Sequence, residues 1–182
     1  MRNSRGLAFL RESRLTDASH NHGARASDAP VDEDGLMEDR HGYYFEDLAP
    51  GMAAAFSKTI TEADLLMFAG VSGDTNPLHL DEEFAAGTIF ESRIAHGILT
   101  ASLISTVLGT RLPGPGAIYV SQSLRFLAPV RIGDTVVAKA SVRELVAERR
   151  RVTMATLCTV GDKKVLEGEA VLMVPPRRVN GG

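Results

Sequence analysis

The sequence predicts an α+β domain, an antiparallel β-sheet wrapped around one long central helix, and three observations lead there. Residues 96–111 read as a helix in which Ile98, Leu99, Ala101, Leu103, Ile104, Val107 and Leu108 are apolar on nearly all sides, stopped by Pro113-Gly114-Pro115-Gly116. A helix apolar all round is buried all round, so something must enclose it. The C-terminal half supplies strands: residues 117–126, a run in which Val136, Ala138, Ala140 and Val142 share one face, and residues 151–160, turned by Gly161-Asp162 into 163–174. Consecutive strands with short turns make an antiparallel sheet with one face on the helix and one in solvent.

Upstream, residues 52–60 read as a strand. Thr61 and Asp64 form a variant capping box that opens a helix with Leu65, Leu66, Phe68 and Ala69 at helical spacing. Gly70-Val71-Ser72-Gly73 ends it, because glycine takes conformations a helix cannot. A loop over 74–79 and a short helix from about Asp81 follow. No internal repeat is visible.

Composition bounds the function. The 182 residues are 44% hydrophobic and 24% charged, enough for an ordinary core. A formal net charge of -3 offers no basic surface to a nucleic-acid backbone, and 5% aromatics with no Trp offer no base-stacking platform. The single cysteine, Cys158, excludes an intramolecular disulfide and any multi-cysteine metal site, and sits mid-strand as a small core residue. The longest apolar run, near 101–108, is interrupted by Ser102, Ser105 and Thr106 and is too short to span a bilayer. No nucleic-acid or membrane partner is expected, and the chain is expected in the cytoplasm.

The chain divides into residues 1–41, an N-terminal extension expected to be disordered, residues 42–176, the folded domain, and a C-terminal tail, 177–182. The extension mixes Ser, Asn, Asp, Gly, Ala and Pro, which bury too little apolar surface to offset ordering. Arg2, Arg5, Arg11 and Arg14 give its start a faint likeness to an organelle transit peptide. His20 and His22 lack a third ligand, so no metal is expected there.

Two clusters carry chemistry. In Ser72-Gly73-Asp74-Thr75-Asn76-Pro77-Leu78-His79 an extended chain would separate the Cα atoms of Asp74 and His79 by roughly 17 Å. Pro77 and Gly73 favour a bend, and a bend brings a carboxylate and an imidazole together, a pair able to hold a water and move a proton. The same residues also make good turn chemistry, with Asp74 capping amides and His79 merely packed. In Ala95-His96-Gly97 the helix start leaves amides unpaired in a positive dipole field, and glycine admits a ligand to one of them, the logic of an oxyanion hole. Gly97 equally suits close helix–sheet packing. His96 fits a hydrogen-bonded structural role better than a catalytic one. Ser105 lies about 12 Å further along the axis, out of reach of that role but able to line a pocket wall. Arg149-Arg150-Arg151 reads as a solvated hairpin end.

Gly73-Asp74-Thr75-Asn76-Pro77-Leu78-His79, then Ala95-His96-Gly97, then Gln122-Ser123-Leu124-Arg125-Phe126 resemble the MaoC-like (R)-specific enoyl-CoA hydratases. The resemblance covers residues 43–174 and includes the entry Tyr44-Phe45-Glu46-Asp47-Leu48. It implies the hot-dog fold, a homodimer, and reversible hydration of trans-2-enoyl-CoA to (R)-3-hydroxyacyl-CoA. It implies Asp74 and His79 as the catalytic pair holding water, the Gly97 amide as oxyanion hole, Asn76 as a supporting residue and Ser105 as a pocket residue. No metal or redox cofactor is implied, coenzyme A being part of the substrate. The implied setting is fatty-acid metabolism and supply of polyhydroxyalkanoate precursors.

The nearest alternative is the same chemistry run as a 3-hydroxyacyl-carrier-protein dehydratase. Hot-dog thioesterases typically place a carboxylate on the central helix, and residues 97–110 contain none. A non-catalytic acyl-thioester binding module is a third reading. Chain length, carrier, and which of Asp74 and His79 is acid or base stay open at the level of sequence.

Overall fold

The computed structural model describes residues 41–177. The expectations for the extension before His41, including its arginines, His20 and His22, and for the last five residues lie outside the described residues.

Five strands, β1 (Ala53–Thr59), β2 (Ile118–Phe126), β3 (Thr135–Val146), β4 (Arg151–Val160) and β5 (Lys163–Met173), form one antiparallel sheet in the order β1-β3-β4-β5-β2. The α-helices among the described residues are α1 (Glu62–Ser72), α2 (Pro77–Leu80), α3 (Glu82–Ala86) and α4 (Gly97–Thr110), with short 3-10 turns at Phe45–Asp47 and Ala147–Arg149. Register shifts interrupt the ladders between Val142 and Glu144 in β3, Tyr119 and Ser121 in β2, and Cys158 and Thr159 in β4. Such irregularities bend and twist a strand, which lets a sheet curve around a helix. At Gly168 a Cβ would lie 1.9 Å from the Ser123 carbonyl oxygen, so only glycine permits β2 to approach β5 there.

The core forms where α4 lies in that curve. Leu99, Leu103, Ile104, Val107 and Leu108 of α4 join Val136, Ala138 and Ala140 of β3, Val152 and Met154 of β4, and Leu166 and Ala170 of β5 in one buried cluster. Alternate residues of β3 and β4 point inward, as the period-2 pattern requires. Short side chains at Ala138, Ala140 and Ala170 leave room for the helix.

Two expectations change. Helix α4 is not enclosed on every side: Ile98 is 55% exposed, and Ser102 and Ser105 are also open to solvent. A single curved sheet covers one side of a helix, so the side of α4 that carries Ile98, Ser102 and Ser105 stays open. Residues 74–79 are not all loop either. Pro77 occupies the first position of α2, where its missing N–H costs nothing, and the Asn76 Oδ1 caps it by accepting from the Leu78 amide at 3.0 Å.

The box at Thr61 forms as expected. The Thr61 amide and hydroxyl both donate to Asp64 Oδ2, at 2.8 and 2.7 Å, and the Asp64 amide donates back to Thr61 Oγ1. Gly73, at φ 77°, then closes α1 in the left-handed conformation, its amide donating to the Ala69 carbonyl.

Candidate active site

The Asp74 loop is held by local bonds. Its amide donates to Ser72 Oγ at 3.1 Å, and its Oδ1 accepts from the Asn76 amide at 3.2 Å. The turn of α2 follows at once and swings His79 inward, where it is 8% exposed. His79 Nδ1 lies 2.8 Å from the Ile94 carbonyl oxygen. A carbonyl only accepts, so the proton is on Nδ1, and Nε2 of the neutral ring carries the free lone pair.

The bend therefore happens. A carboxylate oxygen of Asp74 and one ring nitrogen each of His79 and His96 lie within 4.8 Å of one another. Asp74 is exposed and His79 buried, so the pair spans the boundary between solvent and interior. By donor type this trio is the one set among the described residues able to hold a metal ion. His96 Nε2, however, already donates to the Asp74 carbonyl at 3.0 Å, and His96 Nδ1 is sealed from solvent with no partner.

Gly97 opens α4 beside them. A Cβ at this position would lie 2.8 Å from Cε1 of Phe126, so the Phe126 ring can cover the helix start only because residue 97 is glycine. The close-packing reading of Gly97 is thus met. The oxyanion reading is compatible with it, because the His96 side chain makes no capping bond and leaves the first amides of α4 unoccupied. A cavity of about 290 Å³ lies alongside, with His79 and Gly97 in its wall and Phe90, Ile94, Phe126 and Val130 among its apolar lining. An apolar pocket with a few convergent polar groups is the usual form of a small-molecule site.

Ser105 is not brought to this cavity. It lines a separate, more open groove of about 350 Å³ with Ile98 and Ala101 of α4 and Tyr119, Gln122 and Leu124 of β2. Cys158 is fully buried, and burial pushes its thiol up to about 12, consistent with a core residue. Arg150, at φ 48°, and Arg149 sit in the exposed turn between β3 and β4.

Sequence reasoning missed Arg93 as a brace. Its guanidinium donates to both carboxylate oxygens of Glu62 at 2.7 Å and to Glu82 Oε2 at 3.1 Å, tying the start of α1 and α3 to the segment that leads into Gly97. Those bonds hold the Glu62 carboxyl below its ordinary range. Arg131 ties the same loop from the sheet side, bonding Ser92 Oγ and the Phe90 carbonyl. Arg93 was visible beside the Ala95-His96-Gly97 motif, but its partners lie 31 and 11 residues away and no periodicity points to them.

Comparisons with known proteins bear on family and fold. The MaoC like domain family matches residues 47–164. An (R)-specific enoyl-CoA hydratase of Rhodospirillum rubrum is 60% identical over 135 residues, covering 74% of this chain and 94% of that protein. A 3-hydroxybutyryl-CoA dehydratase of Methylorubrum extorquens is 58% identical over 134 residues, 74% of this chain and 85% of its own length. Among solved structures, the unliganded R-hydratase PhaJ1 of Pseudomonas aeruginosa superposes with a TM-score of 0.71 at 44% identity, over 75% of this chain and 88% of that one. The Aeromonas caviae (R)-hydratase involved in PHA biosynthesis gives 0.69 at 45% identity, over 71% and 99%. The sheet, its central helix and these similarities together place the chain in the MaoC-like family, with the hot-dog fold.

Proposed function

We propose that this chain is an (R)-specific enoyl-CoA hydratase, a hydro-lyase that adds water reversibly to trans-2-enoyl-CoA and yields (R)-3-hydroxyacyl-CoA. The observation that carries the reading is the convergence of the Asp74 carboxylate and the His79 ring, within 4.8 Å, beside an apolar cavity whose wall also holds Gly97. The similarity to an (R)-specific enoyl-CoA hydratase at 60% identity supports the same reading.

The chemistry follows from the placement. The thioester carbonyl polarises the 2,3 double bond, and the Gly97 amide donates to the carbonyl oxygen as it gathers charge. Asp74 and His79 hold a water between them. The pair takes one proton from the water as its oxygen bonds to C3 and returns one proton to C2, so protons balance over the cycle. No metal or redox cofactor is required, and coenzyme A enters only as part of the substrate.

A homodimer belongs to this reading. Strand β2 is a sheet edge carrying exposed Ile118, Tyr119 and Val120, next to the uncovered side of α4, and an unpaired apolar edge favours pairing with a second copy. Sedimentation at micromolar concentration tests it, a monomer being the refuting result. We place the work in the cytoplasm, and in supply of (R)-3-hydroxyacyl units for polyester synthesis. No helix among the described residues is long and apolar enough to cross a membrane. Cell fractionation tests the location.

Crotonyl-CoA tests the activity. Its conjugated ultraviolet absorbance should fall without release of free thiol, and the product should be the (R) enantiomer. Thiol appearing at the same rate would make the protein a thioesterase. No change at any chain length would leave a binding module.

A further inference from the structure

His96 occupies the N-cap of α4, where a polar side chain ordinarily turns back to bond the first helical amides. It does not do so: its backbone takes the cap conformation, φ -54° and ψ 132°, while its side chain makes no capping bond. The ring reaches across to the Asp74 loop, Nε2 lying 3.0 Å from the Asp74 carbonyl oxygen. That oxygen only accepts, so Nε2 carries a proton, and in a neutral imidazole Nδ1 is then the bare lone pair. Nδ1 is sealed from solvent and has no partner among the described residues. A buried polar atom without a partner is uncommon enough to call for a reason. The other faces of the ring are filled: it packs against the His79 ring, tilted by 34° with centroids 3.8 Å apart, and meets the Phe68 ring at 4.9 Å.

We propose that His96 is a positioning residue that registers the two halves of the site against each other, holding Asp74 by its Nε2–H while leaving the amide of Gly97 free. The inference rests on the hydratase reading for its kinetic consequence, but its geometry stands apart from that reading. Asp74 is exposed, and its other bonds are all to residues within two positions, so they shape the turn without fixing where the turn sits. The bond from His96 is the one that ties this turn to α4. The tilted contact with His79 restrains the second ring, whose Nδ1 is already fixed to Ile94. A histidine at this point thus sets three things: the Asp74 carbonyl, the plane of His79, and the unoccupied first amide of α4.

The test contrasts two amides of different reach in the full chain. In His96→Gln the side-chain nitrogen falls where Nε2 stood; in His96→Asn it falls where Nδ1 stood. With crotonyl-CoA, His96→Asn is expected to lose about 10–100-fold in kcat, the scale of a displaced catalytic group. Its KM should stay within about threefold, since ground-state contacts persist. His96→Gln should recover most of the loss, and amide hydrogen exchange over residues 72–76 should quicken in His96→Asn alone. Equal losses in the two variants, a defect confined to KM, or unchanged exchange in His96→Asn would overturn the proposal. Should the parent protein not hydrate crotonyl-CoA, the hydratase reading fails, while the exchange contrast still decides the role of His96. Should neither variant fold, ¹⁵N imidazole resonances of the parent decide: a protonated Nε2 with a bare Nδ1 on His96 supports the assignment, and the reverse tautomer refutes it.

Discussion

The Nδ1–H of His79 points at the carbonyl of Ile94, 2.8 Å away, and leaves Nε2 as the ring's other polar atom. Ile94 lies three residues before Gly97, and the Ile94 amide returns to the Leu78 carbonyl at 3.4 Å. The imidazole and the start of α4 are therefore braced on one short segment. In the neutral imidazole this relationship makes Nε2 the available lone pair.

Removing either member of the pair should cost turnover rather than fold. His79→Ala and Asp74→Asn are each expected to lower kcat by roughly 10²–10⁴, the range for positioned acid–base groups. Stopped-flow absorbance with crotonyl-CoA checks this, with circular dichroism confirming the fold. Retained activity in folded variants of both would remove them from the mechanism.

Gly97 and Phe126 should behave as a coupled pair. Gly97→Ala places a methyl 2.8 Å from Cε1 of Phe126, so the ring must shift. Overpacking of this kind costs about 1–3 kcal/mol. Phe126→Ala alone removes a cavity wall, yet the double variant should be more stable than the two single losses sum to, because the clash is gone. Denaturant titration of the four proteins gives the coupling energy. Additive losses would mean the ring moves aside freely.

Arg93→Met should loosen the approach to Gly97. Two bonds to Glu62 and one to Glu82 disappear, while the aliphatic stem is kept. Both acidic partners are substantially exposed, so the loss should stay near 1 kcal/mol despite the bidentate geometry. Thermal unfolding measures it, and a parallel fall in kcat would show that the brace reaches the site.

Cys158 should be silent in the folded protein. It is fully buried and its thiol is pushed up to about 12, so almost no thiolate exists at neutral pH. Ellman's reagent should register no thiol until denaturant is added and one equivalent afterwards. Rapid labelling of the native protein would contradict the burial.

Much of this architecture was legible because it is written at short range. The 3.6-residue and 2-residue periods gave α4 and the inward faces of β3 and β4, and Thr61 with Asp64 marked the start of α1. Asp74, His79 and Gly97 were legible as motifs, since backbone bends at Gly73 and Pro77 are local matters. What escaped depends on distant segments meeting. Arg93 finds Glu62 only after α1 folds back, Phe126 covers Gly97 only once β2 is in the sheet, and Ser105 turned out to face a separate groove. The open side of α4 was hidden for a related reason: a helix apolar on nearly all sides signals burial without saying which sides the sheet reaches.

Asp64 gives a prediction in pH. The residue is 9% exposed, and burial works to raise its carboxyl. The Thr61 hydroxyl and amide, with Lys58 Nζ at 3.1 Å, outweigh that effect and hold it below the ordinary carboxylate range. Its folded value thus lies beneath its unfolded one, so the unfolded chain binds the proton more tightly. The stabilisation is complete above the unfolded value, about 3.9 for an aspartate, and is lost as pH falls through the lower folded value. Asp64→Asn should therefore unfold more easily than the parent at pH 7, and the difference should shrink from about pH 4 downward. Urea titrations at pH 7, 5 and 3.5 measure it. A gap that widens on acidification would mean that the folded carboxyl is raised, with burial outweighing its three donors.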